Sequence, residues 1–158
     1  MPWFKPPSTM TTKKSPATTN EVMVQAARLL SQRERSATEL RKILEDRGHS
    51  PEAIERCLEL LRQNGLQSDT RTQEALVRRL IEKGASNLEI RRQLDEHGLD
   101  IPDLPDEKER ARALLLARRR QGDTPPKAAR YLASKGYDEE TIHAALASRF
   151  SDAEFGPE

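Results

Sequence analysis

Apolar residues recur at helical spacing from Asn20 almost to the end of the chain. The pattern is clearest in three similar stretches, called here the repeated segments: 36–48, 86–98 and 124–136. They read SATELRKILEDRG, SNLEIRRQLDEHG and TPPKAARYLASKG. Each begins with Ser or Thr, which is a good helix N-cap, and ends with Gly, the usual left-handed stop. Each repeated segment therefore predicts one short amphipathic helix.

The first turns of these helices carry further signals. Glu39 and Glu89 stand three residues after the opening serine, which predicts a capping box in the first two repeated segments. The third has Thr124 followed by Pro125, and proline is suited to the first helical position. The third helix is thus predicted to begin differently from the other two.

Flanking helices repeat as well. A helix is predicted before each repeated segment, at 20–34, 69–83 and 106–121. Matching helices follow the first and third repeated segments, at 51–63 and 138–149. The predicted unit is therefore a set of three helices, and the chain contains three such units.

The spacing of the units is uneven. The repeated segments start 86 − 36 = 50 and 124 − 86 = 38 residues apart, so the middle unit is 12 residues shorter. After Gly98 the chain reads LDIPDLPDEKER, in which Pro102 and Pro105 leave no room for a useful helix. We expect residues 99–105 to lack regular helix. The predicted fold is an all-α, elongated array of three tandem three-helix repeats, the middle repeat lacking its third helix.

This reading divides the chain into five parts. Residues before the first helix are rich in Pro, Thr, Ser and Lys and lack helical periodicity, so a disordered tail is expected there. Because each unit is small, we also expect neighbouring units to share a core. The predicted parts are a disordered N-terminal tail 1–19, repeat one 20–66, a shortened repeat two 67–104, repeat three 105–150 and a C-terminal tail 151–158.

Composition supports a helical protein and gives no sign of an active site. Charged residues make up 34% of the chain and aromatic residues only 4%, which disfavours a β-sandwich. The longest apolar run, residues 113–117, is too short to cross a membrane. The single cysteine, Cys57, cannot form an internal disulfide, so a reduced, cytoplasmic location is expected. The neighbours of Cys57 in the sequence are apolar, which favours a position in the core over a role as a nucleophile. With no metal-binding pair or glycine-rich phosphate loop in the sequence, we expect no enzyme activity, metal or cofactor.

Charge is balanced overall but clustered locally. The net charge is +1, so any binding to an acidic partner depends on local clusters. Residues 110–135 contain eight basic residues and one acid, Asp123. This stretch is either a true basic surface or a solvated helix face in which Asp123 pairs with Arg119 or Arg120. The first interpretation predicts one partner-binding surface made of Arg118, Arg119, Arg120, Lys127 and Arg130.

The middle unit has a second, weaker basic cluster. Nearby acids at positions 82, 89 and 95 can pair with most of its members, which favours a solvated helix face. It is kept as a second candidate for partner binding. Its members are Arg78, Arg79, Arg91 and Arg92.

Several motifs resemble the RecX family of recombination regulators. One is the apolar helix ending near Leu30 followed by the pattern Arg-x-x-Ser-x-x-Glu-Leu, and another is the third-repeat sequence RYLASKGYDEETIHAAL. The family's junction between repeats one and two is typically Gly-Tyr-Leu-Asp-Asp-x-Arg-Phe, and here residues 65–72 read GLQSDTRT. Gly65, Asp69 and Arg71 match, whereas Thr72 replaces the phenylalanine. This replacement is expected to loosen the packing between the first two units.

The resemblance covers roughly residues 22–150 and implies a function. RecX-like proteins are non-enzymatic modulators, usually inhibitors, of RecA recombinase that lie in the groove of the RecA–single-stranded DNA filament. The implied partners are a RecA-type filament and DNA, with no membrane, and the implied roles are in DNA repair, recombination and the SOS response. A monomer is expected. The alternatives left open are a direct DNA-binding helical-repeat protein and a degenerate helical interaction scaffold.

Overall fold

The computed structural model describes residues 18–118 and 122–151, and all regular structure in these ranges is helical. The predicted fold class is confirmed. The predicted tails fall almost entirely outside these ranges, and the unit boundaries at 66/67 and 104/105 stay predictions. The helices are α1 Thr19–Gln32, α2 Ala37–Asp46, α3 Pro51–Gln63, α4 Asp69–Glu82, α5 Asn87–Glu96, α6 Glu107–Ala117, α7 Pro125–Ser134 and α8 Glu139–Phe150.

Helices α1–α3 form the first repeat around its own core. Apolar residues from all three helices are fully buried, among them Val22, Leu40 and Ile54. Cys57 is buried in the same cluster, which confirms its predicted core position. Burial also raises the pKa of the Cys57 thiol, which keeps it protonated and unreactive at neutral pH.

The second repeat consists of α4, α5 and the connector that follows them. No helix lies between Gly98 and Asp106, as predicted from the two prolines. The connector still supplies apolar cover in place of the missing helix. Leu99 is buried in the α4–α5 cluster, and Leu104 packs partly against it.

Helices α6–α8 form the third repeat, and its buried residues again make a separate cluster. Helix–helix contacts are likewise densest within repeats. The expectation of a core shared between neighbouring repeats is therefore wrong. Each repeat buries its own apolar face, and the contacts that join repeats are largely polar.

The predicted capping boxes form only in part. Ser36 and Ser86 each accept a hydrogen bond from the backbone N–H three residues on, at 3.1 Å. The carboxylates do not complete the boxes: Glu39 accepts from Arg33 at 3.3 Å, and Glu89 from Arg92 at 2.7 Å. For Glu89 the structure shows the reason. A complete box needs the Ser86 N–H as the donor to Glu89, but this N–H donates to the carbonyl of Lys135 in the next repeat.

Candidate partner-binding surface and repeat junctions

The repeats are joined through the two ends of the repeated segments. We call the contact between repeats one and two the first junction, and that between repeats two and three the second junction. At the first junction the Ser36 hydroxyl donates to the His97 carbonyl at 2.7 Å. At the second, the Ser86 N–H donates to the Lys135 carbonyl at 3.0 Å. The start of one repeated segment thus binds the end of the next.

The terminal glycines of the repeated segments serve this contact. Gly48, Gly98 and Gly136 all have positive φ, at 83°, 63° and 89°. A Cβ at Gly98 would lie 2.9 Å from the Cβ of Thr38, and one at Gly136 would lie 2.7 Å from the Ser86 hydroxyl oxygen. A Cβ at Gly48 would meet no described atom within 4 Å, so this glycine takes no part in either junction. Two of the three glycines therefore allow close approach as well as the left-handed turn.

An acidic residue caps a helix across each junction. The Ala37 N–H donates to Asp69 at 2.9 Å in the first junction, and the Asn87 N–H donates to Glu107 at 3.2 Å in the second. These partners are 32 and 20 residues apart in sequence, and the difference of 12 equals the shortening of the middle repeat. The same contact is therefore kept despite the lost helix.

One arginine also crosses each junction. Arg71 donates to Glu34 at 3.0 Å, and Arg110 donates to the Asn87 side chain at 2.8 Å and to the Ala85 carbonyl at 3.0 Å. Arg110 was counted among the basic residues of the 110–135 stretch, but its guanidinium donates hydrogen bonds inside the protein. The sequence marked Arg71 only as a family match, and its role as a link between repeats emerges from the structure.

The first junction contains a cavity of about 150 Å³, called here the junction cavity. Thr72, which stands where the family has phenylalanine, is buried beside it, and its hydroxyl donates to the Ser68 carbonyl at 2.8 Å. The expected loosening of this junction stays a prediction. The cavity is lined by Arg33, Glu34, Glu39, Thr72, Ala75, Leu76, Arg79 and His97.

The predicted basic surface is partly described. Arg118 is the C-cap of α6, which ends at Ala117, and its guanidinium carbon lies 4.0 Å above the centre of the Tyr131 ring. Lys127 and Arg130 are exposed on α7, the helix that carries Tyr131. The structure therefore places Arg118 against the same helix as Lys127 and Arg130. Arg119 and Arg120 lie outside the described residues.

The one acid in the 110–135 stretch does not neutralise this surface. Asp123, the one acid of the stretch, is almost fully buried and pairs with Arg149 at 2.8 Å. Sequence reasoning missed Arg149 as its partner because the two residues are 26 positions apart. Lys127 donates to the Gly122 carbonyl at 3.3 Å, a neutral group that leaves the lysine charge available.

The four middle-repeat arginines differ in their surroundings. Arg92 pairs with Glu89 at 2.7 Å and also with Glu96, as the solvated-face interpretation predicted. The hydrogen bond from Arg92 is the largest cause of a lowered Glu89 pKa, which falls to about 2. Arg79 lines the junction cavity, whereas Arg78 lines a groove beside the connector. Arg91 is exposed, and no ion pair links it to a described residue.

Other kinds of site are not evident in the described ranges. Among residues 18–118 and 122–151, His, Cys, Asp and Glu form no group of three that could hold a metal ion. Across the same residues, every helix is too short or too polar to traverse a lipid bilayer.

Comparison with known proteins identifies the family. Residues 23–61 match the RecX first three-helix domain. Regulatory protein RecX of Chromohalobacter salexigens is 34% identical over 134 residues, covering 77% of this chain and 88% of that protein. The relative of the same name from Xanthomonas campestris pv. campestris is 37% identical over 135 residues, covering 77% and 82%. The chain belongs to the RecX family.

Solved RecX structures show the same fold. The crystal structure of RecX from Lactobacillus salivarius matches with a TM-score of 0.62 at 17% identity, covering 82% of this chain and 95% of that one. A second crystal structure, of a regulatory protein RecX, also gives 0.62, at 21% identity and with coverage of 85% and 73%. The predicted RecX resemblance is thus confirmed by sequence and by fold.

Proposed function

We propose that this protein regulates a RecA-type recombinase in the cytoplasm by binding its filament on single-stranded DNA, and that it inhibits the filament without catalysis of its own. The observation that carries this proposal is family membership, because the similar curated proteins are named regulatory proteins RecX. An array of three repeats suits a filament, since neighbouring repeats can contact successive subunits. Such multivalent contact gains strength without any single tight site.

The contact surface proposed here is the α7 basic surface, made of Arg118, Lys127 and Arg130 together with Arg119 and Arg120. Exposed cations on one helix suit either carboxylates on a recombinase or phosphates of DNA. Stacking on Tyr131 restrains Arg118, so less side-chain freedom is lost when it binds. The middle-repeat arginines Arg78, Arg79, Arg91 and Arg92 are the second choice, because they are dispersed and Arg92 is already paired.

A second candidate function is direct binding of single-stranded DNA. The observation that favours it is the aromatic ring of Tyr131 close to two cations, with Arg118 at 4.0 Å and the Lys135 ammonium at 5.7 Å from its centre. Bases stack on such rings while neighbouring cations hold the phosphates. Salt distinguishes the two candidates: tight binding of DNA without recombinase, falling steeply with salt, would favour this one.

The test is inhibition of recombinase ATP hydrolysis on single-stranded DNA, with co-sedimentation to measure binding to the filament. The double variant Lys127→Ala/Arg130→Ala should inhibit at least several-fold less at low salt, and its defect should shrink as salt screens the parent's charges. Its matched control is Lys42→Ala/Arg56→Ala, which removes two exposed cations from the first repeat. Equal inhibition by parent and both variants would show that the contact surface lies elsewhere.

Arg118 calls for a separate variant because it is not a purely surface residue. Arg118→Ala removes the stacking on Tyr131 and is expected to cost about 0.5–1 kcal/mol of stability. Its effect on inhibition should therefore be read together with its melting temperature.

The absence of any filament binding by the parent protein would overturn the proposed function itself.

A further inference from the structure

We propose that a groove in repeat two binds an amphipathic helix with basic flanks, supplied by the protein partner. The groove runs along α4 beside the connector, has a volume of about 470 Å³ and is called here the connector groove. The inference rests on the proposed function in one respect, the identity of the partner as a recombinase. The groove, its apolar floor and its acidic rim are properties of this chain.

The other two repeats show what occupies the corresponding place. In repeats one and three, the first helix packs most densely on the third, α1 on α3 and α6 on α8. Repeat two has no third helix, because the connector with its two prolines replaces it. The face that α4 would turn toward a third helix is therefore left without its usual partner. In this fold that partner is an α-helix.

Comparison with repeat three locates this face on α4. Asp69 and Glu107 make the same capping contact in the two junctions, which fixes the register of α4 against α6. The positions four and eight residues after Glu107 hold Ala111 and Leu115. Both side chains are buried in a cluster that includes residues of α8. These two positions therefore belong to the face that the third helix covers.

The same two positions of α4 hold Gln73 and Val77, and both line the connector groove. Val77 and Ile81 are one helical turn apart and only half-buried, so they form an apolar floor along α4. The connector covers this face in part, since the Gln73 side chain donates to the Asp100 carbonyl at 2.6 Å. Ile101, the next residue of the connector, is 52% exposed. Apolar surface thus remains on both the α4 side and the connector side.

The rim of the groove is acidic. Glu74, Glu82 and Asp103 line it and are exposed, and no ion pair links any of them to a described residue. Arg78 is the single base among the described lining residues. An excess of carboxylates favours a cationic ligand and repels the phosphates of DNA. The groove therefore suits a protein helix that turns apolar residues toward the floor and carries Lys or Arg beside them.

The first experiment uses a synthetic helix as the probe. The peptide PKAIKRALKLLRQ has the α3 sequence with Lys at positions 52, 55 and 59 and Ala in place of Cys57. Fluorescence anisotropy of the labelled peptide, titrated with the full chain at low salt, should show saturable binding. Two matched peptides should bind several-fold more weakly. PEAIERALELLRQ keeps the apolar face but has acidic flanks, and PKAQKRAQKLQRQ keeps the basic flanks but loses the apolar face.

Variants of the full chain locate this binding. Glu74→Lys/Glu82→Lys should weaken binding of the basic peptide several-fold and strengthen binding of the acidic one, because the charge of the rim is reversed. The matched control Glu45→Lys/Asp46→Lys makes the same change in net charge at two exposed acids of α2 and should leave both affinities nearly unchanged. Val77→Ala should weaken both peptides by removing part of the floor. No saturable binding of the basic peptide, or an equal loss in the two double variants, would overturn the proposal.

The second experiment asks whether the recombinase supplies the helix. Glu74→Lys/Glu82→Lys should melt like the parent and yet inhibit the filament several-fold less, while its matched control inhibits as well as the parent. If the folded Glu74→Lys/Glu82→Lys variant inhibits fully and Lys127→Ala/Arg130→Ala fails, the recombinase does not use the groove, so this inference is wrong and the proposed function stands. If the parent binds no filament, the proposed function falls, and the peptide titration alone decides whether the groove takes a basic helix.

Discussion

The second junction has Leu114 packed against Gly84, whereas the first has Ala75 and Thr72 beside an open cavity. The hydrogen bonds across the two junctions nevertheless join corresponding positions, although Ser36 donates through its hydroxyl and Ser86 through its backbone N–H. Each junction binds the start of one repeated segment to the end of the next, caps a helix with an acid and adds one bridging arginine. The two junctions therefore share their hydrogen-bonded contacts and differ in the apolar side chains beside them.

The outer end of the first repeat makes the comparison sharper. Gly48 ends the first repeated segment with the same left-handed turn as Gly98 and Gly136, but no described atom lies within 4 Å of its Cβ position. The chain thus contains three glycines with one backbone conformation and two different surroundings. Substituting these glycines can therefore separate two losses of folding stability, one from straining the left-handed turn and one from crowding a neighbouring repeat.

The largest effect is expected from alanine at the glycines. Gly48→Ala should cost about 1–2 kcal/mol, because only the left-handed conformation is strained. Gly98→Ala and Gly136→Ala should each cost about 1–3 kcal/mol more, because the new methyl group would press on Thr38 or Ser86. Urea unfolding of the three variants measures the difference. Equal losses at all three positions would mean that the junctions are looser than the structure indicates.

A smaller effect is expected from changing one apolar side chain beside each junction. Leu114→Ala should destabilise the protein by about 1–2 kcal/mol, less than for a fully buried leucine, because Leu114 is only half-buried. Ala75→Leu should change stability by less than about 0.5 kcal/mol, because Ala75 is exposed. Thermal melting checks both values. The exposed Leu88→Ala serves as the matched control and should change stability very little.

The double variant Leu114→Ala/Ala75→Leu tests whether the junctions are independent. Because the two sites lie in different junctions, the effects should add within a few tenths of a kcal/mol. A departure much larger than that would show that strain passes from one junction to the other, and the comparison of separate junctions would fail.

The helices and the shortened repeat were predictable because their signals are local. N-caps, terminal glycines and apolar spacing define each helix, and Pro102 and Pro105 exclude one between residues 99 and 105. The end of α6 was less predictable: the helix was predicted to reach residue 121, but α6 ends at Ala117 and Arg118, its C-cap, stacks on Tyr131. A contact with a residue 13 positions away leaves no local signal.

The junctions could not be derived from the sequence for the same physical reason. Their hydrogen bonds join residues up to 61 positions apart, as between Ser36 and His97. Sequence reasoning assigned Glu39 and Glu89 to capping boxes because it could see only neighbours along the chain. The resemblance to RecX did point to the open space, since it marked Thr72 as the place of a missing aromatic residue. It could not indicate whether neighbouring side chains close in around that position.

The smallest expected effect concerns the acids at position four of the repeated segments. Glu89 is bound by Arg92 and Gln93, which lower its pKa from the ordinary 4.5 to about 2. The lowered pKa means that Glu89 stabilises the folded state above about pH 4.5 and that this contribution disappears as the pH falls toward 2. Glu89→Gln should therefore cost less than about 1 kcal/mol at pH 7, as for other largely exposed pairs, and nothing at pH 2. Urea unfolding at both pH values measures this, and Arg92→Ala should reproduce the loss without adding to it in the double variant. A loss of stability that persisted unchanged at pH 2 would show that the Glu89 side chain stabilises the protein through packing and not through its charge.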